Sequence, residues 1–281
     1  MRNGVQLALL SSLVFSVMNA LVKEVSDTIP AAEIAFFRGI IGTLLIVVLM
    51  RQSKLTFSRN GIPMLVLRGV LGGLYMLAYF YTIAKMPLTD ASILAHLSPF
   101  FVIILSALFL KEKISRATWS LLPVVFIGAL LLIKPYQYSS YSIYAIAGLL
   151  SAFFAAAAGI AIRYLSKSHH AYEIVFYFVA TSALVAIPFM WGEFVIPDVR
   201  EGLYLLLIGL ISLFGQLLLT KAFTYSNAVV VQVVSYFGIV MSTIFGYLFW
   251  SEVPDLLTII GGVFIIVGCI ALSNRKQIEE E

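Results

Sequence analysis

The chain has 281 residues, of which 61% are hydrophobic and 11% are charged. Its mean hydropathy of +1.02 excludes an ordinary soluble globule and a disordered chain, and it indicates a polytopic membrane protein. The formal net charge is +4, but the basic residues stand at the ends of apolar runs and form no stripe. They therefore indicate membrane orientation, and we predict no nucleic-acid partner.

The first apolar run is predicted to be retained as a first helix. It continues to about Val22 and carries Asn19, without the small-residue cleavage pattern of a signal peptide. The single cysteine, Cys269, lies in the last run and is interpreted as a small core residue. A single cysteine allows no intramolecular disulfide and no thiolate cluster, and we predict neither a metal site nor a cofactor.

Polar breaks divide the chain into ten apolar runs. They cover about residues 5–22, 31–50, 62–84, 90–110, 117–133, 142–162, 172–191, 202–222, 227–250 and 255–273. With the N-terminus inside, twelve of the 18 basic residues fall on the cytoplasmic side and four on the opposite side. This asymmetry predicts that both termini are cytoplasmic. Because the connections are short, we expect the function to reside among the helices.

The runs divide into five and five around a tyrosine-rich segment after Pro135. An odd number of spans in each half means that equivalent halves must be oppositely oriented in the membrane. Each half carries an acidic or amide residue followed by alanine, with a serine eight positions later, at Asp90 with Ser98 and at Asn227 with Ser235. We therefore predict an all-α membrane protein of ten transmembrane helices in two inverted five-helix repeats, residues 1–134 and 142–273. A charged cytoplasmic tail, 274–281, follows.

The fourth run combines a proline with a titratable side chain. Pro99 offers no N–H to the carbonyl of Ala95, which leaves an acceptor unpaired inside the membrane. Ser92, His96 and Pro99 share one helical face, and that face is expected to line a cavity instead of facing lipid. We interpret the run as one membrane-spanning helix with a kink at Pro99.

Three segments resemble the EamA-type drug/metabolite transporters, and the resemblance covers essentially the whole chain. They are AEIAFFRG at 32–39, RGVLGGLYMLAYFYTIAKMPLTDASILAHLSPFFVIILSALFLKEKIS at 68–115, and VVSYFGIVMSTIFGYLFWSEVPD at 233–255. The resemblance implies two inverted five-helix repeats, a central substrate cavity and alternating access. The family includes importers and exporters of S-adenosylmethionine, riboflavin, amino acids, amines and metallophores, so the resemblance does not identify the cargo.

Two departures from the family pattern bear on the site. Ser98 and Pro99 match the break of the family in the first half, whereas Ser235 and Tyr236 occupy the corresponding place in the second half. The two sides of the cavity are therefore not required to be chemically equivalent. His96 stands where family members commonly carry small or neutral residues, which makes it a candidate for substrate selectivity.

Polar side chains at helical spacing on otherwise apolar runs predict a substrate site, because mostly apolar pockets orient ligands through a few convergent polar groups. The polar stripe of Ser12, Ser16 and Asn19 in the first run is equally compatible with helix packing and with a cavity wall. Tyr75 and Tyr79 are compatible with substrate stacking and with an aromatic core. The predicted substrate-binding residues are Asn19, Tyr75, Tyr79, His96, Pro99, Gln216, Gln232 and Tyr236.

Two arginines lie inside apolar runs, Arg38 in the second and Arg68 in the third. A charged side chain that faces lipid costs on the order of 3 kcal/mol unless it is paired or reaches the interface. Carboxylate capture is one interpretation of Arg38, but we favour snorkelling to the interface or bonding to backbone carbonyls. For Arg68 we expect an interfacial position, and both are kept as charge or structural candidates.

The sequence predicts a secondary transporter in the plasma membrane, the inner membrane of a bacterium. Its partners are the bilayer and a small organic metabolite, such as an amino acid, an amine, or a nucleoside-like or vitamin-like molecule. The alternatives are an intramembrane enzyme and a channel, although the chain carries no HExxH or GxSxG motif and no filter motif. Import and export, coupling to protons through His96, exchange and uniport all stay open, as do monomer and homodimer.

Overall fold

The structure, a computed structural model, describes residues 2–58, 60–109, 120, 123–124, 126–128, 131, 140–225, 231 and 234–280. These residues form α-helices joined by short loops, and no strand occurs among them. The helices with described bounds are α1 (Arg2–Val25), α2 (Ala31–Gln52), α3 (Ile62–Lys85), α4 (Leu88–Ala95), α5 (Ser98–Phe109), α6 (Ser140–Leu165), α7 (Ala171–Met190), α8 (Val199–Tyr225), α9 (Phe237–Trp250) and α10 (Leu256–Glu280).

Six of the described helices are long and apolar enough to cross a membrane, namely α1, α2, α3, α6, α7 and α8. Their ends lie within three residues of the predicted runs. The all-helical membrane fold is thus confirmed, while the ten spans and the cytoplasmic termini stay predictions. Most of the fifth run, 117–133, lies outside the described residues. Helix α10 continues to Glu280, through most of the predicted tail.

Helices from the two halves of the chain pack against each other in a reciprocal way. The first helix of each half lies along the third helix of the other, α1 along α8 and α6 along α3. The second helices, α2 and α7, pack against each other. Small residues permit the close approach of α2 and α3 to α7, since a Cβ on Gly39 of α2 would lie 2.7 Å from that of Ala183, and one on Gly69 of α3 would lie 2.6 Å from that of Thr181.

Helices α2 and α7 also form equivalent hydrogen bonds at their ends, each to the loop that follows the other helix. Each helix has a glutamate in its first turn, Glu33 in α2 and Glu173 in α7, where a carboxylate complements the helix dipole. Glu33 Oε2 accepts from the backbone N–H of Val195 after α7 at 3.0 Å. Glu173 Oε1 accepts from the backbone N–H of Ser58 after α2 at 2.7 Å. The two helices are thereby tied together at both ends.

The fourth run is not the single kinked helix that the sequence suggested. Helix α4 ends at Ala95, His96 and Leu97 form a turn, and α5 begins at Ser98. Pro99 is therefore in the first turn of a new helix, where a missing N–H leaves no bond unmade. In the second half a turn at Tyr236 precedes α9, so a break occurs there without a proline.

Candidate functional site

A cavity of about 210 Å³ lies where the two halves meet at the end of α4. Its wall is mostly apolar, with polar side chains contributed by helices of both halves, as is usual for a small-molecule site. The polar lining residues are Ser11, Ser12, Ser16, Asn19, Arg68, Tyr75, Tyr79, Ser92, His96, Ser98, Gln216 and Ser235.

Of the eight residues predicted to bind substrate, the structure brings five to this cavity: Asn19, Tyr75, Tyr79, His96 and Gln216. Substrate contact by these residues stays a prediction.

The other three predicted residues are not among the described residues that line the cavity. Tyr236 packs against His96, with ring centroids 5.6 Å apart. Pro99 follows Ser98, which lines the cavity, in the first turn of α5. Gln232 lies outside the described residues.

Tyr75 and Tyr79 form a stacked pair on the wall of the cavity. Their ring centroids are 5.7 Å apart at an interplanar angle of 11°. The hydroxyl oxygen of Tyr79 accepts from Asn19 Nδ2 at 2.9 Å, so the amide nitrogen has a partner. The Asn19 Oδ1 atom is buried and has no hydrogen-bond partner among the described residues. The pair thus presents a flat aromatic surface beside an unused acceptor.

His96 connects the breaks of the two halves. Its Nδ1 lies 2.7 Å from the carbonyl oxygen of Ser92, and its Nε2 lies 2.9 Å from that of Ser235. A carbonyl oxygen can only accept, so an imidazolium ring satisfies both contacts and a neutral ring satisfies one. His96 therefore links α4 to the segment before α9 as well as lining the cavity.

The polar stripe of α1 contributes to packing and to the cavity wall. The Ser16 hydroxyl donates to the carbonyl oxygen of Ser12 at 2.8 Å and contacts that of Gly238 at 3.4 Å. The Ser11 hydroxyl donates to the carbonyl oxygen of Gly215 at 2.9 Å. All three serines line the cavity, so both interpretations of the stripe apply.

Arg38 and Arg68 are both enclosed by protein. The two residues are 1% and 4% exposed, because α2 and α3 pack against α7 and cover both arginines. Arg38 makes no hydrogen bond to backbone carbonyls in the described part of the chain, so the backbone bonding favoured from the sequence does not occur there. The interfacial position expected of Arg68 stays a prediction. Arg68 lines the cavity, and Arg38 lies beside Phe178, which lines it.

An ion pair joins the halves at the end of α1, away from the cavity. Lys23 Nζ lies 2.6 Å from Glu252 Oε1 and donates to the carbonyl oxygen of Met86 at 2.8 Å. Glu252 Oε2 accepts from the backbone N–H of Leu88 at 2.8 Å. The two charged side chains are 13% and 16% exposed. We call this the Lys23–Glu252 clasp. In the sequence Glu252 stands in the polar turn WSEVPD at the end of an apolar run, but nothing in the sequence identifies its partner.

Within the described residues, no group of three or more histidine, cysteine, aspartate or glutamate side chains could hold a metal ion.

The chain is similar to known transporters over nearly its whole length. It is 62% identical to the pseudopaline exporter CntI of Pseudomonas aeruginosa, over 99% of this chain and 98% of that protein. It is 28% identical to an S-adenosylmethionine uptake transporter of Rickettsia prowazekii, over 99% and 96% of the two chains. A crystal structure that matches the whole of both chains has a TM-score of 0.68 at 18% identity, which indicates the same fold.

The model of the EamA-like transporter family matches residues 2–134 and again residues 142–274. These two matches cover almost every residue, and the chain therefore belongs to the EamA-like transporter family.

Proposed function

We propose that this chain is a secondary transporter that exports pseudopaline, or a molecule of closely similar structure, by alternating access. The 62% identity with the pseudopaline exporter over 99% of this chain is the observation that carries the cargo and the direction. The chain is a multi-pass inner-membrane protein of a transporter family. Family membership favours a transporter over the enzyme and the channel that the sequence left as alternatives.

The proposed architecture is ten spans in two inverted halves, residues 1–134 and 142–273, with both termini in the cytoplasm. The separate family matches to 2–134 and 142–274 support it. So do the reciprocal helix contacts and the paired hydrogen bonds of Glu33 and Glu173, which are expected when one five-helix unit packs against an inverted copy.

In this orientation the cavity spans the middle of the membrane, where Asn19, Tyr79 and Ser92 lie toward the outer ends of their helices, and it extends toward the cytoplasmic side. Helix α3 begins on the cytoplasmic side and contributes Arg68, whereas α6 and α8 end there and contribute Ile162 and Phe223. The Lys23–Glu252 clasp lies on the opposite side. The proposal therefore assigns this conformation to the state that loads cargo from the cytoplasm, as an exporter requires.

The proposal is tested by complementation. The chain is expressed in a Pseudomonas aeruginosa strain that lacks its own pseudopaline exporter, and pseudopaline is measured by mass spectrometry in the medium and in the cells. We expect pseudopaline to fall inside the cells and to return to the medium. If it stays at the level of the empty vector while the protein is present in the membrane, the proposed cargo is wrong.

Leu44→Ala controls for the effect of a substitution away from the cavity, because this residue of α2 is 65% exposed on the outer surface of the helix bundle. It should export like the unaltered chain.

Two further measurements separate the alternatives. Pseudopaline recovered from the medium should have unchanged mass, whereas an enzyme would convert it. In proteoliposomes loaded with unlabelled pseudopaline, transient uptake of labelled pseudopaline against its gradient indicates a transporter, and a channel would only equilibrate it.

A further inference from the structure

Two guanidinium groups from neighbouring helices converge on one aromatic ring. The Cζ atom of Arg38 on α2 lies 5.1 Å from the ring centroid of Phe178 on α7, and that of Arg68 on α3 lies 4.3 Å from it. The arginine side chains are 1% and 4% exposed, so both charges are withdrawn from solvent. Two buried cations therefore lie against the same aromatic ring.

Neither cation has an anionic partner among the described residues. All three nitrogens of the Arg38 guanidinium and two of Arg68, Nε and Nη1, have no hydrogen-bond partner. The ion pairs in the described part of the chain, Lys23 with Glu252 and Arg200 with Glu24, involve other residues. Glu33, on the same helix as Arg38, binds the backbone N–H of Val195 with its Oε2 atom.

The contact with Phe178 does not replace a counter-ion. A cation gains from the face of an aromatic ring, but a ring accepts none of the directed hydrogen bonds that a guanidinium makes in water. Two adjacent buried cations also repel each other. Intramembrane charges of this kind are expensive, and they characteristically mark a substrate pathway. An anion with at least two acceptor oxygens has the chemistry to satisfy guanidinium groups in this setting.

The cavity gives such an anion access. Arg68 and Phe178 both line it, next to the stacked ring of Tyr75. Gly72 makes room for the guanidinium, because a Cβ at this position would collide with Arg68 Nη1 and would lie 2.5 Å from the Phe178 ring. Arg38 adds its charge from beside Phe178.

We propose that Arg68, reinforced by the charge of Arg38, binds a carboxylate group of the transported molecule in the cavity. Guanidinium groups bind carboxylates through two parallel hydrogen bonds, and this geometry fixes the orientation of the ligand as well as its charge. At the other end of the tyrosine pair, the Asn19 Oδ1 acceptor is available to an N–H group of the same ligand. The cargo class is therefore a carboxylate that also carries an N–H donor.

The inference rests on the proposed function only in taking this cavity as the transport site. It is tested on the purified full-length chain by thermal unfolding, without pseudopaline. The probes are succinate and citrate, with sodium chloride at the same ionic strength as the reference and inorganic phosphate as the competing anion. We expect the carboxylates to raise the midpoint of unfolding above the chloride reference in a saturable way.

Three variants locate the effect. Arg68→Gln should weaken the apparent affinity for the carboxylate probes at least about tenfold, since it removes a charged hydrogen-bonding partner. Arg38→Gln should weaken it by a smaller factor through charge alone. Arg200→Gln is the control, because this arginine is 73% exposed and lies outside the cavity lining. It should respond like the unaltered chain.

The midpoint of unfolding without any probe supplies a second measurement. An arginine that binds ligand but has no partner in the empty protein destabilises the folded state. Arg38→Gln and Arg68→Gln should therefore unfold at the same temperature as the unaltered chain or higher. A structural arginine would give the opposite result, with lower midpoints and unchanged probe responses. That outcome would overturn the proposal.

Two other results would also overturn it. One is a response to phosphate with none to succinate or citrate. The other is the absence of any response beyond chloride in the unaltered chain. Complementation with pseudopaline is scored separately, so a chain that exports pseudopaline but shows no carboxylate response refutes the site and leaves the function intact.

Discussion

The two halves of the chain begin their second helices alike and then diverge at the cavity. Glu33 and Glu173 each start a helix with the sequence Glu-Ile, and each binds the backbone of the loop that follows the opposite helix. Five residues further on, the first half has Arg38 and the second has Phe178. The guanidinium of one lies against the ring of the other. The two halves therefore share the contacts at the ends of these helices. They differ at the residues that lie beside the cavity.

A related difference appears in two contacts between the halves, one through a side chain of α1 and one through the turn after α4. Lys23 on α1 pairs with Glu252, and the His96 ring lies against the carbonyl oxygen of Ser235. In these contacts the first half supplies the cation or donor, and the second half supplies the acceptor. An asymmetric polarity of this kind would suit the proposed site if its cargo is an asymmetric molecule.

The most severe test of this comparison places a cation on the second half as well. Phe178→Arg would leave three guanidinium groups together without a described counter-ion, at a cost on the order of 3 kcal/mol or more inside a membrane. We expect loss of folded protein, measured as the monodisperse fraction in size-exclusion chromatography. Phe178→Leu is the control and should retain most of it. Normal folding of Phe178→Arg would contradict the view that charge in this region is uncompensated.

Exchanging the two residues sharpens the result. The double variant Arg38→Phe with Phe178→Arg keeps the number of cations and restores an aromatic neighbour. It should fold better than Phe178→Arg alone. Equal loss in both variants would show that the position of the cation, and not the number of cations, decides stability.

The Lys23–Glu252 clasp is predicted to hold the outer side of the protein closed. Lys23→Met removes an ion pair that is mostly shielded from solvent and should lower the free energy of unfolding by about 2 kcal/mol. It should also admit solvent from outside the cell. A single cysteine at Ser12, with Cys269 replaced by alanine, reports this through labelling by a membrane-impermeant maleimide.

Reversal of the charges provides the check on the clasp. Lys23→Glu combined with Glu252→Lys should bring external labelling back toward the unaltered level, which neither single variant should do. Labelling that is insensitive to all three substitutions would mean that the clasp does not gate the cavity.

His96 is predicted to stabilise the junction of the two breaks by donating hydrogen bonds. His96→Phe keeps a ring against Tyr236 but leaves the carbonyl oxygens of Ser92 and Ser235 without this donor. We expect a loss of about 1 to 3 kcal/mol in the free energy of unfolding. His96→Gln retains donor N–H groups and should lose less. Similar losses for both would indicate that ring packing and not donation holds the junction.

Sequence reasoning succeeded where one helix carries the information. Polar side chains on an apolar helix turn away from lipid whatever lies opposite, so Asn19, Tyr79 and Gln216 could be assigned to a common interior. It failed where the answer depends on a second helix. Burial of Arg38 is decided by the cover that α7 provides, and Lys23 acquires Glu252 from a distant part of the chain. Pro99 marked the disruption, but the helix ends earlier, at Ala95.

The smallest expected effect belongs to a contact within the first half. Tyr79→Phe keeps the ring stacked on Tyr75 and removes the oxygen that accepts from Asn19 Nδ2, at a cost of about 1 kcal/mol in the free energy of unfolding. Tyr75→Phe is the matched control, because its ring takes part in the same stack. Since this hydrogen bond does not cross between the halves, external labelling at position 12 should stay unchanged. A change in labelling would mean that the tyrosine pair takes part in gating, and that gating involves contacts within a half as well as contacts between halves.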